Sequence, residues 1–282
     1  MAPPRLGPVT IGASRLETDE LAEAMLRSPF GQIDTSNNYA QGRSEAALGR
    51  ARRGSDPAVI FSKADADPVT GAFDGDRVLR SFEETVTRLG VARLPVYHLH
   101  DPYTVTLREA AGPGGAIGAL VALREQGLVD AIGIAAGPLD LLEAYLDTGA
   151  FDAVLTHNRY TLVDRGAAPL IAAARQRGIA VFNAAPFGGG LLAGSPRAAG
   201  RYAYRPAAPE LLAYVDRLDA LCREWAVPLP AAAVHFSLRA PDVDSTVVGI
   251  SSTAQLTALQ ALVDHPVPDG FFAAVAELGD PP

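Results

Sequence analysis

The chain has 282 residues, 48% of them hydrophobic, and a formal net charge of −8. That length suits one large α/β domain with a sizeable core, and the acidic balance argues against nucleic acid as the main partner. The apolar residues fall in short runs, none near the roughly 18 consecutive residues that a bilayer span needs; no membrane partner is expected. Residues 1–5 show no signal-peptide hydrophobic run. The one cysteine, Cys222, has no partner for an intramolecular disulfide, so a reducing cytoplasm is the expected location.

Eight short apolar runs alternate with longer helical patterns. The runs cover 9–12, 31–34, 58–63, 95–100, 131–134, 153–156, 179–183 and 246–249, and each reads as a parallel strand buried on both faces. Between them, Val78, Leu79, Phe82, Val86 and Leu89 recur at helical spacing over 77–89. Further helices are expected over 118–126, stopped by Gly127, over 170–177, stopped by Gly178, and over 210–225, closed by Pro228. Stretches 64–75, 111–115 and 188–209, rich in Pro, Gly or Asp, read as loops.

Repeated β/α units imply a parallel sheet with helices outside it. Eight units close on themselves, so the expected fold class is α/β, a (β/α)8 TIM barrel, as a single domain over residues 1–282. An open doubly wound sheet is the alternative, but its Gly-x-Gly-x-x-Gly loop after the first strand is missing, and Gly188-Gly189-Gly190 comes too late to supply it.

Barrel active sites lie at the C-terminal ends of the strands. Asp34 ends the second run, Lys63 the third and His100 the fourth, while Tyr39 sits five residues past Asp34. A free tyrosine, with a pKa near about 10, is a poor acid–base catalyst at neutral pH. A neighbouring ammonium favours the phenolate, and Lys63 is placed to supply one. Asp34 can hold Lys63 charged, and His100 can hydrogen-bond a substrate oxygen. Such a set can protonate a developing alkoxide or deprotonate an alcohol; the hydride must come from elsewhere, and a nicotinamide fits.

The segment Ile33-Asp34-Thr35-Ser36-Asn37-Asn38-Tyr39-Ala40-Gln41-Gly42-Arg43-Ser44-Glu45, followed by Leu48-Gly49, closely resembles the signature of the aldo-keto reductase family. Phe61-Ser62-Lys63, Leu99-His100-Asp101-Pro102 and the stretch from Leu123 to Gly133 resemble its later strands in the same order. The resemblance implies a catalytic tetrad of Tyr39, Lys63, Asp34 and His100, with Tyr39 as general acid in reduction and base in oxidation. It implies NADP(H) or NAD(H) as cofactor and a small carbonyl or sugar as substrate. His157, Asn158, Phe187 and Gly188 would then meet the cofactor. So would Gly249, Ser251, Ser252 and Gln255, where a late helix start resembles the family's cofactor-phosphate loop.

Several positions depart from that pattern. Ala135-Ala136 stand where many members carry Ser-Asn for the nicotinamide amide, and Ala184 where a stacking Tyr is common; Phe187 is the nearby aromatic. Ser251 replaces a frequent Arg, and Ala258 and Leu259 the usual adenine contacts. The segments 159–164 and 185–194 look like the branch that oxidises fucose- or galactose-type aldoses.

Two other classes stay open. His98-x-His100 puts two imidazoles on one strand face, as metal-dependent hydrolase barrels do, although no carboxylate completes a metal site. The altered cofactor positions also permit a cofactor-binding regulatory barrel with little turnover. The loops 102–115 and 194–209 are expected to frame the pocket, the second carrying Arg197, Arg201, Tyr202, Tyr204 and Arg205.

Overall fold

The computed structural model describes residues 6–52, 57–194 and 200–282. Eight parallel strands close into a barrel: β1 Val9–Gly12, β2 Gln32–Asp34, β3 Val59–Ala64, β4 Leu94–His100, β5 Val129–Ala136, β6 Ala153–His157, β7 Ala180–Ala184 and β10 Ser245–Gly249. The last of these pairs with both β7 and β1, which closes the ring. Every strand expected from the sequence is present, with ends shifted by one or two residues.

Side chains alternate along each strand, as the period of two requires. On β4, Val96 faces the barrel interior with Phe61, Ala153, Leu155 and Phe182, whereas Tyr97 and Leu99 face the outer core beneath the helices. His98 also points inward, its ring edge-on to Phe182 at 5.4 Å. Gly133 on β5 is opposite His98, and a Cβ there would lie 2.1 Å from the ring nitrogen Nδ1. A glycine is therefore required at that position by close approach.

Helices cover the strands from outside. They are α1 Asp19–Leu26, α2 Arg43–Ala51, α3 Gly75–Leu89, α4 Leu107–Ala111, α5 Ala116–Glu125, α6 Leu139–Leu146 and α7 Ala168–Gln176. After β7 come α8 Pro209–Glu224 and α9 Leu229–Leu238, and after β10 come α10 Thr253–Val263 and α11 Phe271–Glu277. Local signals set their ends: Asp74 caps α3 by accepting from the Arg77 N–H at 2.8 Å, and Gly90 stops it at φ +66°. A second apolar cluster joins α8, α9 and α11 through Tyr214, Leu218, Ala232, Phe271 and Val275. Cys222 is buried within it, and burial pushes its thiol up to about 11, so it is protonated and inert at neutral pH. Among the described residues no helix is long and apolar enough to cross a membrane.

The described parts of the stretch expected as a loop, 188–194 and 200–209, contain regular structure. A tight helical turn, Gly188–Ala193, is followed by a short hairpin of β8 Arg201–Tyr202 against β9 Arg205–Pro206. Tyr202 anchors this hairpin to the β6 loop: its hydroxyl donates to the Asn158 carbonyl at 2.7 Å and lies 2.9 Å from Thr161 Oγ1. Arg197 lies outside the described residues.

Candidate active site

The loop that carries Tyr39 is fixed from three sides. Leaving β2, Thr35 donates its N–H to the Phe61 carbonyl at 2.9 Å and Asn37 donates to the Lys63 carbonyl at 3.2 Å. The Asn37 side chain donates to Glu84 at 3.0 Å and accepts from Arg77 at 2.8 Å. Gly42 then turns the chain at φ +81°, with the Arg88 guanidinium 2.7 Å from where a Cβ would sit. Only glycine combines that backbone with that contact.

Two residues opening α2 complete the lock. Ser44 Oγ lies 2.8 Å from Thr35 Oγ1 and donates to the Ala13 carbonyl at 2.9 Å. Glu45 is fully buried and accepts from Ser62 at 2.6 Å, Thr85 at 2.8 Å and Arg88 at 3.1 Å. Burial pushes its carboxyl up, and these three donors oppose the shift.

At the centre, the buried Lys63 ammonium donates to Asp34 Oδ2 at 2.6 Å, to the Thr35 carbonyl at 2.6 Å and to the Tyr39 hydroxyl at 3.2 Å. Burial opposes the charge on Lys63, but Asp34 and Tyr39 outweigh it and hold the ammonium above its ordinary value. The sequence alone suggests that Lys63 depresses the Tyr39 phenol. The structure corrects the net direction: burial pushes the phenol up to about 12, and Lys63 only partly offsets it. Tyr39 is accordingly a neutral phenol at physiological pH. His100 stands edge-on to the Tyr39 ring at 5.6 Å. All four expected side chains thus gather at one end of the barrel.

Asp65, which the ends of the apolar runs do not mark, joins them. It follows β3 on the inward face shared with Lys63, and its Oδ1 is 2.7 Å from His100 Nδ1. Period-two alternation carried two residues past Lys63 would have found it.

The residues expected from the sequence to meet the cofactor are spread around the same rim. Asn158, in a left-handed conformation at φ +59°, is buried, and its side-chain oxygen has no hydrogen-bond partner. His157 lies 3.1 Å from the Asn158 amide nitrogen, and burial lowers the pKa of its imidazole. Ala135 and Ala136 are fully buried and offer no polar side chain. Phe187 is half-buried and packs against both the main core and the outer cluster. Gly188, at φ +59°, brings the backbone against the Tyr202 ring, 2.3 Å from where a Cβ would lie.

Gly249 ends β10 with open space above it. Ser252 caps α10 by accepting from the Gln255 N–H at 3.2 Å, and Gln255 Oε1 accepts from the Ser251 N–H and hydroxyl at 2.8 and 3.0 Å. This exposed helix start, with no acid in its first turn, suits an anion. An unpartnered buried acceptor at Asn158 suits an amide N–H donor. The residues present therefore fit a nicotinamide dinucleotide.

A cavity of about 860 Å³ opens beside His157 and Asn158, walled by Tyr103, Asp140, Arg159 and the β8–β9 hairpin. Of the two loops expected to frame the pocket, the first contributes Tyr103 alone and the second the described residues 202–208, while residues 137–140 after β5 and 158–159 after β6 supply much of the remaining wall. His98 lies below the rim with both ring nitrogens unpartnered, and burial holds its imidazole well below the ordinary value. It contacts Phe182 and Gly133, and among the described residues no three His, Cys, Asp or Glu are grouped to hold a metal. The paired-imidazole reading therefore lacks a ligand set.

Comparison with known proteins agrees with this geometry. A sequence model described as the aldo/keto reductase family matches residues 10–280. Pyridoxal 4-dehydrogenase from Microbacterium luteolum is 28% identical over 97% of this chain and 91% of its own length. D-threo-aldose 1-dehydrogenase from a Pseudomonas species is 36% identical over 73% of this chain and 62% of its own length. L-galactose dehydrogenase from Arabidopsis thaliana is 28% identical over 79% of this chain and 70% of its own length. A holo-form aldo-keto reductase structure from Bacillus halodurans shares the fold, with a TM-score of 0.75 at 19% identity, covering 100% of this chain and 97% of its own.

Proposed function

The chain belongs to the aldo/keto reductase family as an NAD(P)-dependent oxidoreductase, and we propose that Tyr39 is the group that exchanges the proton with the substrate oxygen. The observation that carries this reading is the Lys63 ammonium bonded at once to Asp34 at 2.6 Å and to the Tyr39 hydroxyl at 3.2 Å. A bound nicotinamide supplies or accepts the hydride. In reduction the carbonyl oxygen takes the proton from Tyr39. The phenolate left behind is stabilised by the Lys63 ammonium and regains a proton from solvent. Asp34 keeps Lys63 charged throughout.

His100 orients the reacting oxygen opposite Tyr39. Asn158 and His157 would hold the carboxamide end of the cofactor, Phe187 and Gly188 its middle, and Gly249, Ser251, Ser252 and Gln255 the phosphate at the start of α10. The choice between NADP(H) and NAD(H) falls to those last residues, where Ser251 brings no positive charge.

The substrate we propose is a small hydroxylated aldehyde or an aldose. The three named relatives act on pyridoxal, an aldose and L-galactose by their names, and the cavity beside His157 is walled by Asp140, Arg159, Asp164 and tyrosines able to bond hydroxyl groups. The enzyme is proposed to work in the cytoplasm, as one barrel domain. The test is a fluorescence titration with NADPH and NADH, followed by turnover on panels of aldehydes and aldoses. Micromolar cofactor binding with turnover on a hydroxylated carbonyl supports the reading. Cofactor binding with no turnover on either panel would favour the regulatory reading instead.

A further inference from the structure

Asp65 lies outside the four residues above, yet its carboxylate is more tightly held than its position at a strand end requires. Its Oδ2 accepts the Ser36 hydroxyl and the Asn38 N–H, the latter at 2.9 Å. Its Oδ1 faces His100 Nδ1 at 2.7 Å, and Ser36 Oγ is 3.2 Å from the same nitrogen. Burial acts to raise the Asp65 carboxyl, but His100, Ser36 and Asn38 outweigh it, so the group is a carboxylate.

An ionised carboxylate only accepts hydrogen bonds. The nitrogen facing it must therefore carry a proton, and Nδ1 of His100 is fixed as N–H. That leaves Nε2 as the one ring nitrogen for a reacting oxygen. With Nδ1 protonated, a neutral imidazole has a bare lone pair at Nε2 and can only accept there; the imidazolium donates from both nitrogens. The other groups around the ring leave this assignment in place. Asp101 Oδ2 is 3.6 Å from Nε2, beyond hydrogen-bond reach, and Tyr39 meets the ring edge-on. Lys63 is bonded to Asp34 and Tyr39, and burial disfavours the charged forms of His98 and His157.

We infer that Asp65 is a positioning residue that fixes the neutral His100 in its Nδ1–H tautomer, so that Nε2 faces the substrate with a bare lone pair in the neutral ring and donates to a carbonyl oxygen only as the imidazolium. That a carbonyl oxygen binds there rests on the proposed function; the tautomer itself does not.

The geometry specifies a sharp test in Asp65→Asn. Ser36 and Asn38 both donate to the Oδ2 position, so the amide oxygen of the variant must take that place and its NH2 must face His100. Nδ1 then becomes the acceptor and the proton moves to Nε2. The measurement is 15N NMR of the full chain labelled at histidine, with the His100 signals assigned by their loss in His100→Gln. The wild type is expected to show a protonated Nδ1 and bare Nε2 in the neutral ring, and Asp65→Asn the reverse. A neutral wild-type ring protonated at Nε2 overturns the inference, and so does one tautomer shared by both proteins. A second readout is the KM for benzaldehyde, which is expected to fall several-fold, the scale of one hydrogen bond, in Asp65→Asn, where Nε2–H of the neutral ring becomes a donor to the carbonyl oxygen. A flipped tautomer with an unchanged KM would overturn the link to substrate binding. Absence of benzaldehyde turnover in both proteins, with the expected tautomers, would count against the proposed function instead.

Discussion

Lys63 and Asp34 form an ion pair at 2.6 Å whose side chains are 1% and 5% exposed. Asp34 Oδ1 has no partner, so the pair holds together through one oxygen, while the ammonium spends its other donors on Thr35 and Tyr39. A buried pair of this kind contributes little net stability when intact but leaves a costly bare charge when halved.

Asp34→Ala is accordingly expected to destabilise the fold by about 3–5 kcal/mol, measured by urea denaturation. The Lys63 pKa is raised in the folded state, so the pair's contribution is complete below the ordinary lysine value and is lost only at more alkaline pH. A variant as stable as the wild type at pH 7 would show that the pair is not held as described.

The Tyr39 phenol at about 12 gives a signed pH dependence. Its folded value lies above the ordinary value of about 10, so its contribution to stability is present below that pH and is lost as pH rises from about 10 to about 12. Catalytically, oxidation needs the phenolate and reduction the phenol. The logarithm of kcat/KM for oxidation is expected to climb with a slope near about one between pH 7 and 10. A plateau below pH 8 would place the proton acceptor elsewhere.

Gly133→Ala would put a methyl 2.1 Å from His98 Nδ1, in a barrel interior closed by Phe182. Overpacking of this sort costs about 1–3 kcal/mol, seen as a Tm lower by several degrees. Adding His98→Ala should recover part of the loss. An unchanged Tm in the single variant would mean that the ring moves freely.

Glu45→Ala removes the acceptor shared by Ser62, Thr85 and Arg88. Leaving these donors unpaired is expected to cost about 3 kcal/mol or more and to loosen the loop that carries Tyr39. Thermal melts and limited proteolysis near residue 40 check both effects together; native stability with unchanged proteolysis would contradict the locking role.

Much of this was legible from residue order. Buried parallel strands leave compact apolar runs, so all eight strands could be found, and the ends of β2, β3 and β4 pointed to Asp34, Lys63 and His100. Asp65 is hidden because the apolar run ends at Lys63, whereas the strand continues to Ala64 and carries Asp65 onto the inward face. Helices such as α9, Leu229–Leu238, also escaped: Ala231, Ala232, Ala233 and Val234 are all buried, so no polar face marks the period. The β8–β9 hairpin depends on Tyr202 reaching the β6 loop, a long-range contact that no local pattern encodes. The sign of the Tyr39 shift was hidden for a related reason, because the cost of burial depends on everything packed around the ring.

The central claim is that Tyr39 exchanges the proton while the cofactor is held by other residues. The most direct measurement is Tyr39→Phe, with NADPH affinity from fluorescence and aldehyde reduction from single turnovers. The account predicts unchanged affinity and a rate lower by about 10²–10⁴-fold, the usual worth of a positioned proton donor. Wild-type turnover in that variant would contradict it.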